Sequence, residues 1–198
     1  MSGDTTNVSL WPNADVLIGA VTSDSPDPGE PFALTGTDPW AFAGILDGDA
    51  GFAEDQANDN NKFFGWGVGT IAVANRNLSI TRTFTALEDN EETLGLRYDV
   101  SGITFTSGAY SGDLGGRDLQ RQFRLAMQMQ KAGKLKRFIT KNYAQINSLG
   151  TVTEGENNLF SLPVTVEIFP TLVVDGDTGE VTPVYWETYL GPVVVPGP

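Results

Sequence analysis

The sequence predicts a mainly β protein, a β-sandwich or barrel with one short flanking α-helix. Three observations carry that expectation. Apolar and polar residues alternate with period two in several runs, clusters of Gly, Pro, Asn and Asp separate the runs, and only one helix start stands out. The clearest strand is Leu78 to Ala86, where Leu78, Ile80, Phe84 and Ala86 alternate with Ser79, Thr81, Thr83 and Thr85. The helix start follows at Asn90-Glu91-Glu92. An Asn cap accepts a hydrogen bond from the exposed first-turn N–H groups, and the two acids suit the positive helix end.

The elements are expected in this order. Ala14 to Val21 is a short apolar run that fits a buried strand. Thr22 to Pro39, dense in Pro, Gly, Asp and Ser, reads as a long loop or arm. Trp40 to Leu46 resumes as strand, Asp47 to Asn61 reads as a second flexible acidic stretch, and Phe63 to Ala74 reads as a strand with glycine-rich bends. After the strand and helix already described, Ile103 to Ser107 is a weaker strand and "GAYSGDLGGRD" a loop. In Gln122 to Gln130, Phe123, Leu125, Met127 and Met129 alternate with Arg124, Ala126, Gln128 and Gln130, so periodicity outranks the helix propensity of these residues. "KAGK" is then a hairpin turn with Leu135 to Tyr143 returning. "LFSLPVTVEIFP" and "VTPVYWETYL" are two further strands, with the turn "DGDTGE" between them. Residues 1–198 thus read as one domain with flexible acidic segments at about 22–39 and 47–61 and a proline-bounded tail at 191–198.

Composition removes several kinds of chemistry. With no Cys there is no disulfide, thiol nucleophile or zinc–thiolate site. With no His there is no Ser-His-Asp triad and no imidazole base or ligand. The start "MSGDTTNVSL" lacks a basic and an apolar segment, and no apolar run approaches the ~20 residues that cross a bilayer, so a protein made soluble in a cytoplasm is expected, with no membrane partner. The net charge of −13 is unevenly spread. Met1 to Asn61 holds eleven acids and no Lys or Arg; Arg117 to Lys141 holds eight bases and one acid; beyond Lys141 there are seven acids and no base.

The local motifs are weaker than they look. "GWGVGT" spaces its glycines every second residue with no helix start behind it, so both nucleotide-loop patterns fail and a twisted strand is the expectation. Counting from Asp47 or Asp175, the twelfth position is Asn58 or Trp186, so neither acidic turn is an EF-hand loop. Glu54-Asp55 and Glu91-Glu92 are adjacent pairs, and adjacency does not set two carboxylates across a sugar. No catalytic residue, metal site or cofactor is expected. The basic segment has two readings: a solvated strand face that discourages stray edge pairing, or a contact surface for the acidic arm of a neighbouring copy. On the second reading the contacts are Arg117, Arg121, Arg124, Lys131, Lys134, Lys136 and Arg137 on one side, with Asp24, Asp27, Glu30, Asp47, Asp49, Glu54 and Asp55 on the other.

In order along the chain, Trp40, Gly44, "GFAED" (Gly51 to Asp55), Trp66-Gly67, "ITRTFTALEDNEETLGLRY" (Ile80 to Tyr98) and "LPVTVEIFP" (Leu162 to Pro170) resemble the major tail tube proteins of long, non-contractile-tailed phages, those of actinobacteria especially. Gly112 to Lys141 is more basic and richer in Met and Gln than that family leads one to expect. Within these 198 residues no segment is expected to form the immunoglobulin-like decoration domain that many members of that family carry. The resemblance implies a structural virion protein and no enzyme. Its subunits would form hexameric rings that stack into a tube around a tape measure protein, meet terminator and distal tail proteins at the tube ends, and pass genomic DNA without binding it specifically. A helix covering one side of a sheet, with the Ser/Thr side lining the channel, suits such a wall, and an acidic lining repels DNA phosphate. From the residues alone the alternative is a carbohydrate-binding β-sandwich on a virion or cell surface, with Trp40, Trp66, Tyr185 and Trp186 as its aromatic candidates.

Overall fold

In the computed structural model, which describes residues 11–30, 32, 39–106, 109–156 and 158–194, two antiparallel sheets face each other across one apolar core. In chain order the elements are β1 (Asn13–Gly19), β2 (Trp40–Phe42), β3 (Ala53–Gly65), β4 (Gly69–Ala86), α1 (Glu91–Arg97), β5 (Ile103–Thr106) and β6 (Ala109–Gly112). There follow β7 (Arg124–Lys131), β8 (Lys134–Thr140), β9 (Ala144–Leu149), β10 (Thr153–Gly155), β11 (Asn158–Ile168), β12 (Thr171–Val174), β13 (Val181–Val184) and β14 (Trp186–Pro192). The first sheet runs β14-β8-β7-β1-β2; the second runs β10-β11-β4-β3, with β9 also on β11; β5-β6 and β12-β13 are separate hairpins. The architecture is the β-sandwich with one short helix that the alternation predicts.

The core follows from that alternation. Val16 and Ile18 of β1 and Leu125 and Met127 of β7 face Ile80 and Phe84 of β4 and Leu162, Val164, Val166 and Ile168 of β11. Each is buried, and burying a side chain of this size stabilises by roughly 1.5–3 kcal/mol. Pro163, which cannot donate to a ladder, falls in the gap where β10 pairs β11 as far as Ser161 and β9 takes over at Val164. The helix starts as read: Asn90 accepts from the Thr93 N–H at 3.0 Å, and the Thr93 hydroxyl oxygen accepts from the Asn90 N–H at 2.8 Å. Leu96 joins the core between the sheets, so α1 lies on the apolar side of β4 and leaves the Ser/Thr side clear of it.

The first sheet is covered on its outer face too, which explains the unbroken apolar run of β1. Leu17, Ala126 and Ile139 point away from the core and are buried under Trp40 and Phe32. A strap of residues 20–30 crosses this face, and Ala20, Asp24, Asp27 and Glu30 supply its turn and anchoring carbonyls. The "KAGK" turn is present: Lys131 pairs with Lys134, and Ala132 and Gly133 both take positive φ, 45° and 76°.

Four expectations are corrected. Asp47–Asn61 is not a flexible stretch throughout, because β3 begins at Ala53; Glu54, Asp55, Gln56 and Asn58 are exposed along it, so burial imposes no apolar alternation on them. Phe63–Ala74 is not one strand but the end of a hairpin, turning through Trp66, Gly67 and Val68 where Gly67 and Gly69 supply positive φ. The loop after Ile103–Thr106 contains a short strand, β6. "VTPVYWETYL" breaks at Tyr185 into β13 and β14, and "DGDTGE" joins β13 to Thr171–Val174 rather than to β11. Residues 1–10, 31, 33–38 and 195–198, which include part of the expected arm and tail, lie outside the described residues.

Candidate functional site

Arg124 and Arg137 stand at the centre of the predicted basic surface, and both are buried beneath the strap. Arg124 donates through Nε and Nη2 to the Thr140 carbonyl at 3.1 and 2.8 Å, through Nη2 to Ser25 Oγ at 3.0 Å, and through Nη1 to the Ser23 carbonyl. Arg137 donates to the carbonyls of Glu30 at 2.6 Å, Asp27 at 3.0 Å and Pro26 at 3.1 Å. Trp40 Nε1 adds a bond to the Asp24 carbonyl at 2.8 Å. The two guanidinium groups lie 5.6 Å over the Trp40 ring and 5.5 Å over the Phe32 ring. Basic hairpin and acidic arm do meet, then, but within one chain and through main-chain carbonyls. Burial pulls the Arg137 pKa down, opposed by Glu187, Tyr189 and Glu30.

Glu187 closes the anchor from β14. It accepts from Ser25 Oγ at 2.6 Å and pairs with Lys141 at 3.0 Å and Arg124 at 3.4 Å. Partial burial raises its pKa, but the bonds from Ser25 and Lys141 and the charges of Lys141 and Arg124 outweigh this, and the net shift is downward.

The remaining candidates are scattered. Arg121 donates to the Gly95 carbonyl at the helix and faces Glu92, whose pKa burial raises against the pull of Arg121. Glu54 pairs with Arg82, which lies 5.0 Å over Phe138 and 5.3 Å over Trp186 on the core side of the second sheet. Asp47 holds its own turn by accepting from the Asp49 N–H at 2.9 Å and the Ala50 N–H at 3.3 Å. Asp49 and Asp55 are exposed, and Arg117 is half-buried. Lys131, Lys134 and Lys136 enter no ion pair among the described residues, although the Lys136 ammonium sits 5.2 Å over Phe138. The structure therefore separates the basic segment into two buried anchors and a lysine-bearing hairpin end.

Two surfaces stand out instead. The β3–β4 hairpin outruns the sandwich: β11 pairs with β4 only from Ile80 onward, and β3 pairs with β4 all the way out to Gly65–Gly69. At ~3.3 Å per residue the stretch Gly69 to Leu78 reaches roughly 30 Å beyond the sheet. Its end is apolar and bare: Phe64 is 70% exposed, Val68 78%, Ile71 63%, and Trp66 is fully exposed. The second surface is the outer face of the second sheet. Ser79, Thr81 and Thr83 of β4 share it with Thr165 and Glu167 of β11 and Asp55 of β3. Thr83 and Thr165 hydroxyls bond at 3.2 Å and Ser79 donates to Glu167 at 3.2 Å, giving a polar wall whose charged members named here are both acids.

The aromatic candidates for a sugar platform do not converge. Trp40 is buried, Trp186 packs edge-on to Phe138 at 6.0 Å, the Tyr185 hydroxyl donates to the Leu78 carbonyl at 2.9 Å, and Trp66 stands at the hairpin end with Phe63 and Phe64 rather than with the other candidates. Among the described residues no group of three or more Asp and Glu is placed to hold a metal ion, and no helix is long and apolar enough to cross a membrane. No protein-family model matches the chain, and no curated protein matches it.

Proposed function

We propose that this chain is a structural subunit that assembles with copies of itself into the tail tube of a siphovirus-type phage, as stacked hexameric rings that conduct DNA. The observation that carries the reading is the β3–β4 hairpin, a long arm ending in bare Phe64, Trp66, Val68 and Ile71. A monomer gains nothing from such an end, and exposed apolar groups on a projecting ribbon mark a surface that another protein covers. The polar, acid-bearing outer face of the second sheet supports the same reading, since a wall that repels phosphate lets DNA slide. The lumen would hold a tape measure protein before DNA passes, and terminator and distal tail proteins would cap the ends. The protein's place is then the virion, and its role is not enzymatic.

Replacing Phe64 and Trp66 by Ser tests the carrying observation. Sedimentation velocity should show assembly lost while the unfolding midpoint stays within about 2 °C of the parent, because these side chains bury little in the monomer. Undiminished assembly would remove the hairpin end from the account. The carbohydrate-binding alternative would rest on the exposed Phe63, Phe64 and Trp66 of the same hairpin end, and glycan titration of the monomer would reveal it.

A further inference from the structure

Among the described residues the β12–β13 hairpin pairs with no other strand and is an apolar ribbon with a charged end. Leu172 pairs with Pro183 and Val174 with Val181, so these four side chains share one face. Leu172 is 66% exposed, Val174 61% and Val181 53%. A lone two-stranded hairpin is marginal in water unless something packs on it. The turn beyond carries Asp175, Asp177 and Glu180, and Asp175 Oδ1 fixes it by accepting from the Asp177 and Thr178 N–H groups at 2.9 and 2.8 Å.

The opposite end of the first sheet offers the complement. β13 ends at Val184, just before Trp186, which pairs with Thr140; the other end of that strand pair is Pro192 opposite Lys134. At ~3.3 Å per residue the two ends of β8 lie roughly 20 Å apart. At that far end Leu190 pairs with Lys136 and Pro192 with Lys134, so two apolar and two cationic side chains share one face. Leu190 is 68% exposed, β14 is the outermost strand of its sheet, and Lys131 stands across the turn from Lys134.

We propose that the acid-ended β12–β13 hairpin of one copy docks on the Leu190–Lys134–Lys136 face of a second copy. Apolar face meets apolar face, and the turn acids meet the lysines. Because the two halves sit at opposite ends of the same sheet, the contact is head-to-tail, and such a contact propagates into a ring or a filament rather than closing as a dimer. The proposal shares with the assembly reading only the requirement that copies associate.

Charge exchange tests it. One variant carries Lys134→Glu and Lys136→Glu; the other carries Asp177→Lys and Glu180→Lys and keeps Asp175, which holds the turn. Sedimentation velocity should show each variant alone associating about 100-fold more weakly than the parent. An equimolar mixture should recover to within about 5-fold, because every hairpin then meets a face of opposite charge. Circular dichroism of each monomer should match the parent. Parent-like association of either variant, no recovery in the mixture, or a parent that stays monomeric at every concentration would each overturn the proposal. Charge-dependent association into fibres with no central hole would leave this contact standing and sink the tube reading instead.

Discussion

At the scale of single residues, the strap depends on two arginines that it hides. Arg137 bonds three main-chain carbonyls at once, and shortening it removes the strap's donor to Pro26 and Glu30 and leaves Asp27 with the Glu30 N–H alone. Arg137→Ala should cost about 2–3 kcal/mol in urea unfolding and expose the Pro26–Glu30 segment to limited proteolysis. Arg137→Lys should recover less than half of that loss, because an ammonium lacks the planar fork that spans three acceptors. Glu187 makes the anchor acid-sensitive. Its folded pKa lies below the ordinary value of 4.5, so its contribution is complete above that value and is lost as pH falls through the lower, folded one. An unfolding profile should therefore steepen below about pH 4.5, and Glu187→Gln should flatten that part of it. A fall of stability between pH 6 and 8 that Glu187→Gln removes would contradict the assignment.

At the scale of elements, the helix cap and the "KAGK" and "DGDTGE" turns were legible, whereas the Trp66–Val68 turn and layer membership were not. Asn90 and its acids announce α1 because a cap is a local device, and Asn90→Ala should lower stability by about 1 kcal/mol in thermal unfolding. Ala132 at φ 45° sits where the hairpin wants Gly or Asn, so Ala132→Gly should raise stability by about 0.5–1 kcal/mol. The strands β4 and β11 could be read because one face of each meets the core, and β1, β7 and β8 because they bury apolar side chains against the core or beneath the strap. The long β3 could not: it is an edge strand whose residues Ala53 to Asn58 are exposed, so no burial imposes alternation on them. β12 was hidden for a related reason: its apolar face is uncovered in the single chain, and its four residues follow Pro170 without a break in composition. The candidate site was half legible. The uneven charge was plain in the sequence, but which cations are buried depends on the strap crossing the first sheet, a long-range contact that no local pattern records. Leu190 beside Lys136 likewise exists only through strand pairing.

At the scale of the whole molecule, the chain buries one set of apolar side chains between its sheets and leaves another bare on projecting hairpins. Phe64, Trp66, Leu172 and Val174 are all more than 60% exposed, whereas Phe84, Phe123 and Leu162 are almost completely buried. This division separates folding from association: substitutions at the hairpin ends should change assembly and leave unfolding alone, and those in the core should do the reverse. Negative-stain electron microscopy of the purified chain, concentrated and left to stand, tests the central claim most directly. The account predicts rings or stacked tubes with a central hole. Monomers that persist at the highest concentration reached, or clusters without a hole, would contradict it.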